Sequence, residues 1–205
     1  MILTGTRLFT RMATLDRAFL TRLQERDPEA LRLTVEQNAR PLYRAARAMG
    51  FPHPEAEELV QDVFATFLET LDRFEGRSKV STWLFGILHR KSLERHRNTL
   101  RDEAHDPIDA IFESCFDARG SWLHPPLELD RLAASSEARE AIQTCLDGLP
   151  VLQRQVFVLR EIGQHDPAEV CNILGRSLTH VGVLFHRARA RLRQCLEARG
   201  WGPPS

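Results

Sequence analysis

The chain has 205 residues and a formal net charge of zero, so it can hold two small cores and is not a uniformly basic nucleic-acid binder. No apolar run reaches the length of a membrane span, and the four cysteines form no CxxC pair, which favours reduced thiols. The eight histidines are scattered and there is no glycine-rich phosphate loop. We therefore expect no enzyme activity, no metal and no cofactor.

Residues 1–26 form a lead before the first domain and are a candidate for disorder. The lead has no continuous apolar stretch of the kind found in export signals, which favours a cytoplasmic protein, and Met12 is an alternative start to Met1. The first helix is predicted from Asp27 as N-cap and Pro28 at the first helical position, and Gly50 closes it.

An acidic amphipathic helix is predicted over 55–74. Its apolar residues recur at steps of three and four, and Gly76 follows its end. The opposite face carries carboxylates against a single arginine, Arg73. These residues are Glu55, Glu57, Glu58, Asp62, Glu69 and Asp72.

The sign of the charge reverses in the next stretch, which runs over 77–101. It holds seven Lys or Arg and one acid, Glu94, with Trp83 and Phe85 among them. Cations neutralise phosphates, and an aromatic ring stacks on an unpaired base with about 1–3 kcal/mol. A second interpretation stays open, in which Trp83, Phe85 or both are core residues.

These two stretches, AEELVQDVF and DRFEGRSKVSTWLFGILHRKSLERHR, resemble region 2 of sigma-70 family sigma factors in the short extracytoplasmic-function form. The resemblance implies that the acidic helix docks on the coiled coil of the polymerase beta-prime subunit. It implies that the basic, aromatic part melts and holds the promoter −10 element. The residues implied for polymerase are Leu59, Gln61, Asp62 and Phe64, and those implied for −10 DNA are Gly76, Arg77, Ser78, Lys79, Thr82, Trp83, Arg90, Lys91, Arg95 and Arg97.

A linker is predicted over 102–134, after a first domain over 27–101. It holds Pro107, Pro125, Pro126 and Gly120 within an acidic stretch. It also keeps apolar residues, including Phe112 and Trp122, which leaves two interpretations open. The segment either contacts polymerase or folds back on one of the domains.

The second domain is predicted over 135–199, followed by a tail over 200–205. Asp166, Pro167 and Glu169 give a strong helix start, Gly175 ends that helix, and Ser177 caps a last helix. Two helices joined by a tight turn with glycine are typical of a helix-turn-helix, whose second helix enters the major groove. The predicted fold is therefore all-α, with two helical domains joined by an acidic linker.

The segments LPVLQRQVFVLREI, PAEVCNILGRS and FHRARARLRQCLE resemble sigma region 4, which implies contacts with the −35 element and the polymerase beta flap. The family often has cations where this chain has Gly182 and Leu184, so either −35 recognition is weaker or Val183 and Leu184 form an apolar patch for a protein. The residues implied for −35 DNA are Arg176, Ser177, Thr179, His180, His186, Arg187 and Arg189.

The resemblance thus predicts an alternative sigma factor that binds core RNA polymerase and promoter DNA, with an anti-sigma factor as a usual further partner. The alternative is a stand-alone helix-turn-helix regulator that binds duplex DNA without polymerase. The basic and aromatic stretch over 77–101 favours the sigma factor.

Overall fold

The computed structural model describes residues 17–96 and 135–201, and these residues are helical with no strand among them. The N-terminal half comprises α1 (17–24), α2 (Pro28–Ala48), α3 (His53–Thr70), a 3₁₀ turn (Leu71–Arg73) and α4 (Val80–Arg95). The C-terminal half comprises α5 (Ser136–Asp147), α6 (Val151–Phe157) with a π-helical continuation (Val158–Ile162), α7 (Pro167–Leu174) and α8 (Leu178–Ala198). The all-α prediction is confirmed.

The N-terminal half packs α2, α3 and α4 against one another. The predicted start of α2 is confirmed, because the Asp27 carboxylate accepts from the Glu29 N–H and Pro28 follows. Leu23 of α1 is fully buried, so the folded part begins before Asp27 and includes 17–26 of the expected lead. Residues 1–16 lie outside the described ranges.

The acidic helix is shorter than the predicted 55–74, since α3 ends at Thr70 and Phe74 is extended. Phe74 nevertheless stays in the core, with 2% of its surface exposed. Gly76 has a φ of +69°, and a Cβ there would collide with the Leu20 side chain. Both the backbone conformation and this close approach require glycine at the start of the loop that leads to α4.

The C-terminal half contains the predicted helix-turn-helix in α7 and α8. Asp166 and Glu169 form a reciprocal capping box at the start of α7. Gly175 ends α7 in the left-handed conformation with a φ of +63°, and the Ser177 hydroxyl accepts from the His180 N–H at the start of α8. These local predictions are confirmed.

Two cysteines depart from the expectation of reduced thiols. Cys145 of α5 and Cys195 of α8 form a disulfide, with Cα atoms 5.7 Å apart, while Cys171 is free. The two helices pack together, and their facing cysteines come within the range that a disulfide needs. The expectation failed because the 50 residues that separate the two positions in sequence hide their proximity in the fold.

Within the described ranges, no helix is both long and apolar enough to cross a bilayer. The same residues contain no group of three or more potential ligands placed to hold a metal ion.

Candidate nucleic-acid and polymerase interface

The loop between the 3₁₀ turn and α4 carries the first predicted −10 residues. Gly76, Arg77 and Lys79 are exposed, and Ser78 is half-buried. The Arg77 Nε lies 2.9 Å from a carboxylate oxygen of Glu75. The loop therefore presents two cations and a hydroxyl within four residues, which are groups that bind phosphate oxygens.

Thr82 is different, because only 5% of its surface is exposed. Its hydroxyl donates to the Glu169 carboxylate of α7 over 2.9 Å, and the Lys79 Nζ lies 3.1 Å from the same oxygen. Two predicted −10 residues are thus held by one carboxylate from the C-terminal half. Sequence reasoning missed Glu169 as a partner, since Thr82 and Glu169 are 87 positions apart.

The two aromatic residues at the start of α4 have different environments. Phe85 is 1% exposed and belongs to the core. Trp83 is half-buried and meets Phe74 edge to face, with ring centroids 5.4 Å apart. Of the two interpretations left open by the sequence, the core one holds for Phe85, while Trp83 retains surface for a base or a partner.

A cleft of about 1140 Å³ lies beside the loop. Its lining combines cations, hydroxyls and side-chain amides, with Glu169 on the wall that the C-terminal half provides. This mixture suits a phosphate-linked strand with polar base edges. The polar lining residues include Arg17, Gln37, Asn38, Arg77, Ser78, Lys79, Ser81, Thr82, Glu169 and Asn172.

The C-terminal part of α4 carries the remaining cations. Arg90 is exposed and Lys91 is half-buried. The Arg95 guanidinium instead turns to α3, where it lies 2.9 Å from Asp62 and 3.6 Å from Glu58. Arg97 lies outside the described residues.

The polymerase residues on α3 do not form one exposed set. Gln61 is exposed, and Asp62 and Phe64 are half-buried. Leu59 is fully buried, so its predicted contact with polymerase is wrong for this conformation. It lies on the buried stripe of α3. The exposed Leu68 lies seven residues after Gln61, on the same side of the helix, and was not predicted as a contact.

The start of α8 presents the predicted −35 residues as an exposed set, comprising Arg176, Ser177, Thr179 and His180. His186, Arg187 and Arg189 lie further along and are half-buried. Burial lowers the pKa of His186 and of Arg189. Exposed donors at the beginning of a second helix-turn-helix helix have the geometry of base and phosphate readout.

The Phe185 ring of α8 lies close to two arginines. The guanidiniums of Arg160 and Arg189 each lie 5.3 Å from its ring centroid. Leu184 is only 8% exposed, so the predicted apolar patch with Val183 is wrong for Leu184, which packs in the core. Gly182 has open space around it, and a Cβ there meets nothing within 4 Å.

The fold and its surfaces define a class of protein. It is a helical DNA-binding protein in which a helix-turn-helix is joined to a second helical unit with a basic, partly aromatic loop.

The comparisons with known proteins place the chain within that class. The Sigma-70 region 2 model matches residues 34–101, and the Sigma-70, region 4 model matches residues 139–192. A probable RNA polymerase sigma factor of Haemophilus influenzae is 30% identical over 153 residues, which cover 70% of this chain and 78% of that protein. The ECF RNA polymerase sigma factor SigX of Bacillus subtilis is 29% identical over 171 residues, covering 82% and 84%.

Two solved structures share the fold. CnrH in complex with the cytosolic domain of CnrY matches with a TM-score of 0.64 and 24% identity, over 89% of this chain and 97% of that one. Bartonella quintana RpoE with the anti-sigma factor NepR matches with a TM-score of 0.58 and 22% identity, over 83% and 96%. The chain belongs to the sigma-70 family of RNA polymerase sigma factors, in the extracytoplasmic-function group. It is an alternative sigma factor that directs transcription initiation, and the stand-alone regulator is not favoured.

Proposed function

We propose which surfaces of this sigma factor bind core polymerase, the −10 strand and the −35 element. The N-terminal half, called region 2 from here on, binds core polymerase through α3, where Gln61, Phe64 and Leu68 share one stripe and Asp62 lies about 100° around the helix from Gln61. Its α3–α4 loop captures the non-template −10 strand. The C-terminal half, called region 4, reads the −35 element with the start of α8. The chain contributes no catalytic chemistry of its own and acts in the cytoplasm, where polymerase and the chromosome meet.

The observation that carries this proposal is the loop over 76–79, whose exposed cations line a polar cleft and precede the half-buried Trp83 in the sequence. A duplex-binding regulator needs no such surface, because its bases stay stacked. We expect Trp83 to stack at the edge of a melted strand, and Arg77 and Lys79 to bind phosphates. Arg90 extends the same cationic surface along α4.

An anti-sigma factor is the regulatory partner that we propose. The solved Bartonella quintana RpoE was captured with the anti-sigma factor NepR, and CnrH with the cytosolic domain of CnrY. A partner that covers region 2 or region 4 would keep the chain from polymerase until it is released.

Run-off transcription tests the function directly. Purified core polymerase, with and without this chain, transcribes a library of genomic fragments, and the start sites are read by sequencing. New starts that share two upstream elements support the sigma factor. A discrete footprint by the chain alone, with no new starts, would instead support the stand-alone regulator.

Asp62→Lys tests the polymerase face. The change places a cation on the acidic surface of α3 and removes the nearer of the two carboxylate partners of Arg95, so we expect loss of co-purification with core polymerase while helicity by circular dichroism is kept. Glu36→Lys is the matched control, since Glu36 is an exposed carboxylate on a different helix, α2, where it pairs with Arg32 as Asp62 pairs with Arg95. Retained binding by Asp62→Lys would remove this face from the proposal.

A further inference from the structure

Region 4 packs against α2 and α4 of region 2. At one end of the contact, the Gln143 side chain donates to the Arg47 carbonyl over 3.0 Å. In the middle, the Gln155 amide donates to the buried Ser92 hydroxyl over 3.1 Å. These contacts join α5 to α2 and α6 to α4.

An aromatic contact continues the interface toward the −10 loop. His165 is 3% exposed and meets Phe85 edge to face, with ring centroids 4.6 Å apart. Gly163 permits this approach, because a Cβ there would lie 3.0 Å from Phe85 Cε1 and 2.7 Å from His165 Cδ2. The two regions therefore meet through closely packed groups.

Glu169 completes the contact at the −10 loop itself. Its Oε1 accepts from the Thr82 hydroxyl over 2.9 Å and lies 3.1 Å from the Lys79 Nζ. Its Oε2 accepts from the Asp166 N–H over 3.0 Å, which closes the capping box of α7. The side chain of Glu169 is only 15% exposed, so its carboxylate is fixed in place by both regions.

Burial alone would raise the pKa of Glu169, but the bonds from Asp166, Thr82 and Lys79 outweigh it and hold the pKa below its ordinary value. The group is therefore an anion at neutral pH. The Glu169 carboxylate therefore makes the same kind of contacts with the Lys79 ammonium and the Thr82 hydroxyl that a phosphate would make with these two groups.

We infer that the free chain is closed on itself, with Glu169 of region 4 in the place of a promoter phosphate on Lys79 and Thr82. This inference rests on the proposed function of the −10 loop. Single-stranded DNA and region 4 then compete for the same groups, and the affinity of the free chain for DNA falls with the fraction of open molecules. A partner that holds the two regions apart would remove this competition.

The contact can be captured chemically in the full-length chain. A carbodiimide couples a lysine amine to a touching carboxylate, forming an amide bond while the reagent takes up the lost water. Lys79 and Lys91 are the two lysines of the sequence, so the products are few and can be mapped by peptide mass spectrometry. We expect a Lys79–Glu169 link in the free chain and its decrease when a single-stranded oligodeoxynucleotide is added.

Glu169→Gln tests the consequence for DNA. Glutamine keeps the capping box but loses the charge that holds Lys79. Since Lys79 is largely exposed, we expect the affinity of the free chain for a labelled single-stranded oligodeoxynucleotide to rise by roughly three- to tenfold. Asp166→Asn is the matched control, because it removes one charge at the same helix start, preserves the cap and touches neither Lys79 nor Thr82.

The absence of the Lys79–Glu169 link in the free chain would overturn the closed state. A link that forms while Glu169→Gln and Asp166→Asn bind the oligodeoxynucleotide equally would overturn the competition. Neither readout uses polymerase or a promoter, so failure of run-off transcription, which contradicts the proposed function, is separable from failure of this inference.

Discussion

His89 makes the stability of the two-region structure sensitive to acid. It lies on α4 with 6% of its surface exposed, opposite Gln155 of region 4. Burial is the main cause that lowers its pKa from 6.5 to about 4; the hydrogen bond with the Gln155 side chain offsets part of the effect, and the charges of Arg90 and Arg176 add to it. The folded chain thus holds this imidazole neutral over a range in which the unfolded chain takes up a proton.

The sign follows from proton linkage. Above pH 6.5 both states are neutral at His89, and as the pH falls from 6.5 toward 4 only the unfolded state gains the proton, so the free energy of unfolding decreases. The full displacement corresponds to about 3 kcal/mol, of which about 2 kcal/mol is lost between about pH 7.5 and about pH 5.

Urea denaturation followed by tryptophan fluorescence at these two pH values measures the loss. His96, His165 and His186 also have pKa values lowered by burial, so the wild type loses more than the share of His89. His89→Gln should lose about 2 kcal/mol less than the wild type over the same interval. His53→Gln controls for removing a histidine from an exposed site on α3. Equal losses in the wild type and His89→Gln would refute the assignment of acid sensitivity to this buried imidazole.

Five substitutions, in three groups, test other parts of the structure. Arg90→Ala should reduce the slope of log affinity against log salt, measured for promoter binding by the holoenzyme, by about 1. Arg95→Ala should change this slope less, since Asp62 and Glu58 hold that guanidinium. Equal slopes for both variants and the wild type would exclude Arg90 as a phosphate contact. Gly182→Ala should raise the melting temperature by roughly 3 °C, because the added Cβ meets open space in a helix interior. Gly175→Ala should lower the melting temperature, because Gly175 has a φ of +63°. Differential scanning calorimetry measures both changes. Cys145→Ser removes a disulfide between residues that are 50 positions apart, and it should lower the free energy of unfolding by up to about 4 kcal/mol. A urea titration without reducing agent measures this loss. An unchanged midpoint would show that the disulfide adds no stability.

Features that depend on a few neighbouring residues could be predicted from the sequence. The caps at Asp27, Asp166 and Ser177 and the left-handed Gly175 each arise from contacts within about one turn of helix. The burial of Leu184 could also have been predicted from the sequence, although we expected Leu184 to be exposed in one interpretation. It lies three residues after the buried Val181, on the stripe that fills the core, and this spacing could have identified it as buried.

Leu59 shows a conflict between two kinds of reasoning. The periodicity of α3 placed it on the buried stripe, while the family resemblance assigned it to polymerase, and the structure agrees with the periodicity. The contacts of Asp62 with Arg95 and of Glu169 with Lys79 had no local signal. Such pairs depend on how helices distant in sequence pack, which no window of one helix reveals.

These ion pairs show where some of the charges that sum to a net charge of zero balance one another. A chain that binds DNA through region 2 could carry an unbalanced basic surface, yet Arg77 lies against Glu75, Lys79 against Glu169, and Arg95 against Asp62. Each cation has an intramolecular carboxylate, so binding a phosphate exchanges one anion for another and contributes less than binding to a bare cation would. The three pairs therefore lower the expected affinity of the free chain for phosphates at these positions, and Glu169→Gln removes the pair at Lys79.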